Sequence, residues 1–296
     1  MPPMPAQLAR NHTFAIPVYG AAPNLAALVE SLRAQTGPRS EILVATSTPS
    51  GELEEFARRE AVPLHVNPRR VDIASDWNFA LNMTRTRFVT LAHQDDLFQA
   101  EYASSLVDAL DRHPGSLIAF SDYSEHTPFG VRSDNLNLRI KRVLCRRAFG
   151  ARECITEPSE KCRALSLGNP ICCPSVMFDR AALGSFRFPQ GFQTNLDWMA
   201  WLELARRPGG FVYVRTRLVS KGVHPGSETT ATIANRARER EDKALFEEFW
   251  PKPLAAVLAA IYRLGYRANR VRISRPSLAD AHHPAGDQDD SNPLKQ

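Results

Sequence analysis

Short β-branched and apolar runs alternate with amphipathic stretches over residues 13–122, the pattern of a parallel sheet covered by helices. The runs Phe14–Val18, Glu41–Thr46, Pro63–Val66, Arg87–Ala92 and Leu117–Ser121 read as strands. Between the first two, Leu25, Leu28, Val29 and Leu32 recur at helical spacing, with Asn24 placed to cap the helix and Gly37 to end it. That is one β-α-β unit. Further helices are predicted over Gly51–Glu60, Ala74–Thr84 and Ala100–Arg112, the last stopped before Pro114. The expected class is α/β, a Rossmann-like, mostly parallel central sheet flanked by helices.

The pattern changes after this half. From Glu125 to Leu165 the chain turns basic and irregular, and only a helix at Glu160–Leu167 is predicted there. The apolar segment Ile171–Phe178 leads to an amphipathic helix at Leu196–Arg206 and a strand at Phe211–Val219. A Gly and Pro loop follows, then a charged helix over Ala231–Phe249 and another over Leu254–Gly265. The tail from Ser274 is rich in Pro, Asp, His and Ser, a composition expected to be disordered. The expected division is a catalytic domain over residues 1–230, a helical extension over 231–273 and a disordered tail over 274–296. Leu254, Val257, Leu258, Ile261 and Leu264 form an apolar face beside Lys252, Arg263 and Arg267. Two readings of that face stand open: packing against the domain, or peripheral contact with the inner membrane leaflet.

Composition narrows the function classes. The 296 residues are 43% hydrophobic, enough for a sizeable core. Against 32 Asp and Glu, 37 Lys and Arg leave a net charge of only +5, interspersed rather than gathered into long blocks, so nucleic acid is not an expected partner. The basic group Arg139 to Arg147 is either a solvated face or a contact for phosphates or anionic headgroups. Five cysteines without a C-x-x-C spacing indicate neither a zinc site nor a disulfide framework. Met1–Arg10 lacks the features of a secretory signal and no run reaches roughly 18 apolar residues, so a cytoplasmic location is expected.

In open parallel sheets, ligands bind beyond the carboxyl ends of the strands. There the run Arg87–Ala92 leads straight into His93-Gln94-Asp95-Asp96. Adjacent carboxylates on one turn repel unless a cation or a shared proton relieves them, and a divalent ion completed by diphosphate oxygens meets that demand. The plainer reading is that they cap a helix starting near Gln99. Gln288-Asp289-Asp290 repeats the letters with no strand before them and carries no such implication. Asp197 opens the helix Asp197-Trp198-Met199-Ala200-Trp201, either as a cap or as a general base facing a cleft. His224, in Val223-His224-Pro225-Gly226-Ser227, follows a strand at a turn and is either polar surface or a transition-metal ligand.

Taken in order, these pieces resemble the family 2 glycosyltransferases of GT-A fold over roughly residues 12–230. Phe14-Ala15-Ile16-Pro17-Val18-Tyr19 looks like the family's first strand, and Asp76-Trp77-Asn78 falls where the family carries an Asn-containing helix start near the nucleotide. His93-Gln94-Asp95-Asp96 takes the place of the D-x-D-type metal motif, Leu196-Asp197 that of the pair bearing the catalytic base, and His224-Pro225-Gly226-Ser227 that of the C-terminal His motif. Three departures stand out. Val44–Ser50 lacks the Asp that often binds the base after the second strand, His93 stands where an Asp is frequent, and Leu196 replaces the usual Glu.

The resemblance implies an inverting transfer of a sugar from a nucleotide-diphosphate sugar to a hydroxyl acceptor, whether glycan, lipid-linked or small molecule. It implies Asp197 as base, Asp96 and His224 as ligands of Mn2+ or Mg2+, and Pro17, Tyr19, Asp76, Asn78, Gln94 and Asp95 as donor-binding residues. Two alternatives use the same scaffold: a non-catalytic nucleotide-sugar or carbohydrate binder, and a sugar-phosphate nucleotidyltransferase. The latter predicts a Gly-rich basic loop after the first strand, which Tyr19-Gly20-Ala21-Ala22-Pro23 is not.

Overall fold

The computed structural model describes residues 12–37, 39–69, 71–223 and 237–273, the side chains of 264–273 apart. Its first half follows the predicted alternation. Strand β1 (His12–Val18), helix α1 (Leu25–Arg33), β2 (Glu41–Thr46), α2 (Gly51–Arg59), β3 (Leu64–Val66), α3 (Ile73–Met83) and β4 (Phe88–Leu91) come in order. β5 (Leu97–Phe98), α4 (Tyr102–Arg112) and β6 (Ile118–Thr127) complete it. Alternate β1 residues enter opposite cores, Phe14 and Ile16 on one side and Ala15 on the other, so the sheet is buried on both faces. Asn24 stands at the start of α1 but makes no side-chain cap, and that helix closes at Ala34, short of Gly37. Gln35 holds this exit by donating to the Gln99 carbonyl and accepting from Ala103 N–H.

The second half departs from the expectation in three places. β6 runs on past Ser121 because it pairs in parallel with β10 (Phe211–Gly222) as far as His126, and folds back on β7 (Gly130–Arg132). The stretch expected to be irregular contains the four-turn helix α5 (Leu136–Phe149), capped by the Asn135 side chain accepting from Leu138 N–H at 2.9 Å. Its inward positions are Leu138, Arg142, Cys145 and Phe149. Arg142, the polar one, is satisfied by Asp122 and by the carbonyls of Ser133 and Tyr123. The short β8 (Cys154–Ile155) and α6 (Pro158–Leu165) follow. The apolar segment at 171–178 then becomes a 3-10 turn and β9 (Val176–Asp179), which lies antiparallel between β4 and β6. The sheet order is β3-β2-β1-β4-β9-β6-β10-β5.

After the short α7 (Arg180–Leu183), α8 (Leu196–Ala205) is apolar around most of its circumference and correspondingly buried on most sides. Trp201 meets Phe178 of β9 with ring centroids 5.9 Å apart. Trp198 meets Phe246 of α9 (Ala237–Glu247) at 5.2 Å and Tyr262 of α10 (Lys252–Ile273) at 5.6 Å. The C-terminal helices therefore share one core with the sheet. The apolar face expected on the last helix is divided: Leu258 packs on that core, whereas Leu254, Val257 and Ile261 are exposed. Among the described residues, no helix is long and apolar enough to cross a membrane. The tail from Ser274 lies outside the described residues.

Candidate active site

β4 ends at Leu91, and Ala92 N–H still donates to the Ala15 carbonyl of β1. The chain then turns through His93–Asp96, closed by Asp96 N–H donating to the His93 carbonyl at 3.1 Å, and enters β5. Because β5 pairs with Val219 and Ser220, the end of β10 is brought against this acidic turn. Gly222 N–H donates to Oδ1 of Asp96 at 2.8 Å. A Cβ on Gly222 would lie 2.2 Å from the Asp95 carbonyl oxygen, so only glycine permits this approach.

Asp96 is 2% exposed, and its Oδ2 has no hydrogen-bond partner among the described residues. Burial pushes its carboxyl well above the usual range and Asp95 pushes it further, only partly offset by Gly222 N–H and Lys221. His93 Nδ1 lies 3.9 Å from Asp96 Oδ2, beyond hydrogen-bond reach, and its ring lies 4.9 Å from that of Trp77. Burial lowers its pKa to about 4, so it is neutral at pH 7.

An orphaned, buried carboxylate oxygen fits a hard cation or a proton. The described residues contain no group of three or more His, Cys, Asp or Glu able to hold an ion by themselves. His224, Pro225, Gly226 and Ser227 lie outside the described residues. The described chain reaches Val223, whose N–H donates to the His126 carbonyl at 2.9 Å beside Gly222.

Asp197 stands in the first turn of α8. Its Oδ1 accepts from Trp198 N–H at 2.8 Å and its Oδ2 from Asn169 Nδ2 at 3.0 Å. Burial raises its pKa, opposed by Lys141, Lys221 and the Trp198 N–H. The loop before α8 is fixed by α9: Glu241 accepts from the N–H groups of Gln193, Thr194 and Asn195, while Asp242 accepts from Asn195 Nδ2. Lys221 precedes Gly222 at the end of β10, and although burial lowers its pKa, the charges of Cys172, Asp96 and Asp197 outweigh this and raise it. Sequence reading passed over Lys221, Gly222, Asn169 and Lys141, because none belongs to a motif and each matters only through a partner distant in the chain.

The donor-side residues divide. Gln94 accepts from Tyr19 N–H at 2.9 Å and donates to the Ala21 carbonyl at 3.2 Å, so it holds the loop that follows Pro17. Tyr19 itself is half exposed. Asp76 reaches the ends of β2 and β3, accepting from Ser47 Oγ at 2.7 Å and Asn67 Nδ2 at 2.9 Å. A carboxylate thus stands at the end of β2 although that strand's own loop carries none. Asn78, two positions along α3, turns the other way: its amide donates to the Phe188 carbonyl at 3.0 Å and accepts from Phe188 N–H at 2.8 Å. This joins Asn78 to the Phe188 segment.

The family model described as glycosyl transferase family 2 matches residues 13–161. The chain belongs to that family. Within family 2 the matched span runs from β1 through the acidic turn to α6, and α8 with Asp197 lies beyond it. Among solved structures, S. aureus TarS 1-349 is similar at 13% identity and TM-score 0.55, covering 89% of this chain and 73% of that one. A second S. aureus TarS structure is covered over 46% of its chain. Glucosyl-3-phosphoglycerate synthase from Mycobacterium tuberculosis, in complex with Mn2+, UDP and glucosyl-3-phosphoglycerate, is similar at 14% identity and TM-score 0.52, covering 81% and 80%. These likenesses establish the GT-A fold of this glycosyltransferase family member. No curated protein sequence matches it.

Proposed function

We propose that this family 2 protein transfers a sugar from a nucleotide-diphosphate donor to an acceptor hydroxyl, with inversion and with the help of Mn2+ or Mg2+. The observation that carries the reading is the buried Asp96 carboxylate after β4, held by Gly222 N–H at 2.8 Å and with its Oδ2 unpartnered among the described residues, in a chain of this family. Asp96, through its unpartnered Oδ2, and His224 are the proposed cation ligands. When bound, the cation offsets charge developing on the leaving diphosphate. Pro17, Tyr19, Asp76, Asn78 and Asp95 border the donor, and Gln94 fixes the loop that follows Pro17.

Asp197 accepts the proton of the acceptor hydroxyl that attacks the anomeric carbon from the face opposite the diphosphate, so configuration inverts in one displacement. Its raised pKa makes it a stronger base than an ordinary carboxylate. The similar synthase binds UDP with Mn2+ or Mg2+, which supports the donor and cation classes. The test is slow hydrolysis of nucleotide sugars with and without Mn2+. A metal-dependent rate that Asp96→Ala abolishes supports an enzyme. A rate of zero with tight nucleotide-sugar binding makes the chain a binding protein, and a rate unchanged by chelation removes the cation.

A further inference from the structure

Helix α5 is apolar on two opposite sides. Leu138, Cys145 and Phe149 face the core, and on the other side Leu136, Ile140 and Val143 are 66%, 47% and 57% exposed. Their i, i+4, i+7 spacing makes one stripe where a helix on a domain surface ordinarily shows polar residues. The preceding hairpin adds Phe129 and Val131, also exposed. Arg146 and Arg147 border the stripe, Arg139 beside them is paired with Asp134 at 2.8 Å, and α5 itself contains no acidic residue.

On the Arg146 flank the surface opens into a cleft of about 520 Å³ lined by Arg142, Arg146, Arg215 and Arg217, with Asp122 the carboxylate among its walls. The register of β10 against β6 breaks between Val214 and Arg217, which lifts Arg215 and Thr216 out of the ladder, and Arg215, Thr216 and Arg217 are all exposed. Arg215 lies over the Tyr213 ring and donates to the Gly150 carbonyl at 2.7 Å, so it is held at the end of α5.

We propose that the outward face of α5, with its hairpin, docks this protein on a bilayer containing anionic phospholipid. The apolar stripe enters the headgroup–acyl boundary, and the arginines beside it take lipid phosphates. Charge selects this occupant. A second copy meeting the same face across a two-fold axis would set a wholly basic helix against itself, and an uncharged partner would leave the arginines unmatched. Beside the exposed Leu254, Val257 and Ile261 of α10, Arg263 is paired with Glu239 at 3.2 Å. Docking is read from binding alone and stands apart from the sugar-transfer reading.

The experiment is co-sedimentation of the full chain with vesicles of phosphatidylcholine alone and of phosphatidylcholine with phosphatidylglycerol. The native chain is expected to bind the anionic vesicles, more weakly as salt rises, and to leave the neutral ones largely free. Arg146→Glu with Arg147→Glu is expected to lower partitioning by about tenfold or more, and Ile140→Ser with Val143→Ser to lower it as well. Leu254→Ser with Val257→Ser and Ile261→Ser should bind as the native chain does. Thermal midpoints of all variants confirm that these surface changes leave the fold intact. Equal binding to both vesicle types, native-like binding by the α5 variants, or loss confined to the α10 variant overturns the proposal.

Discussion

Asp96 receives the backbone N–H of Gly222 at 2.8 Å, and this contact joins the turn after β4 to the end of β10. Gly222→Ala places a methyl group 2.2 Å from the Asp95 carbonyl, a backbone atom with little freedom to move. The expected result is a loss of about 1–3 kcal/mol of stability by chemical denaturation. Stabilisation by UDP with Mn2+, read as a melting shift, should shrink with it; a native-like variant would mean that the approach is not needed.

Asn169 donates to Asp197 at 3.0 Å and so orients the carboxylate. Asn169→Ala is expected to lower kcat by about tenfold or more while leaving donor KM near the native value. Asn169→Gln should recover part of the loss if orientation is the cause. A change confined to KM would assign Asn169 to binding.

Burial pushes the pKa of Asp197 up, and Lys141 and Lys221 hold it down. Lys221→Met should therefore move the acid limb of the pH–rate profile to higher pH, and Lys221→Arg should restore it. The sign follows from the group involved: a base with a higher pKa needs a higher pH to be ionised. An unshifted limb in Lys221→Met would separate the lysine from the base.

Much of this was legible in the sequence, and the remainder was hidden for identifiable reasons. The strands and helices of the first half follow from hydrophobic periodicity, because a sheet buried on both faces is written as short apolar runs. Helix α5 was concealed by Arg142, a charge at a core-facing position whose partner, Asp122, lies in another element. Asp96 and Asp197 stand out by their place after a strand and at a helix start. Lys221 and Asn169 show only once the fold brings them beside the acids. Asn78 stands out by its place in the Asp76-Trp77-Asn78 run, but its contact with Phe188 appears only in the fold.

Asp242 is buried against Asn195, and burial raises its pKa to about 6, above the ordinary value of 3.8. The folded state therefore favours the protonated acid. Its stabilising contribution is full below about pH 3.8 and is lost as pH rises through about 6. Asp242→Asn, neutral at every pH, should be more stable than the native chain at pH 7 by up to about 3 kcal/mol, with the gain fading below about pH 4. Denaturant titrations at pH 4 and pH 7 test this, and a gain of equal size at both contradicts it.

The central claim, that Asp197 is the base and Asp96 serves the donor, is tested most directly by one paired measurement on Asp197→Asn. UDP affinity in the presence of Mn2+ is measured by calorimetry, and turnover of the nucleotide sugar that best stabilises the native chain is measured on the same preparation. The account predicts native-like affinity with turnover reduced by about 10²–10⁴-fold. Turnover close to native with affinity intact would contradict it.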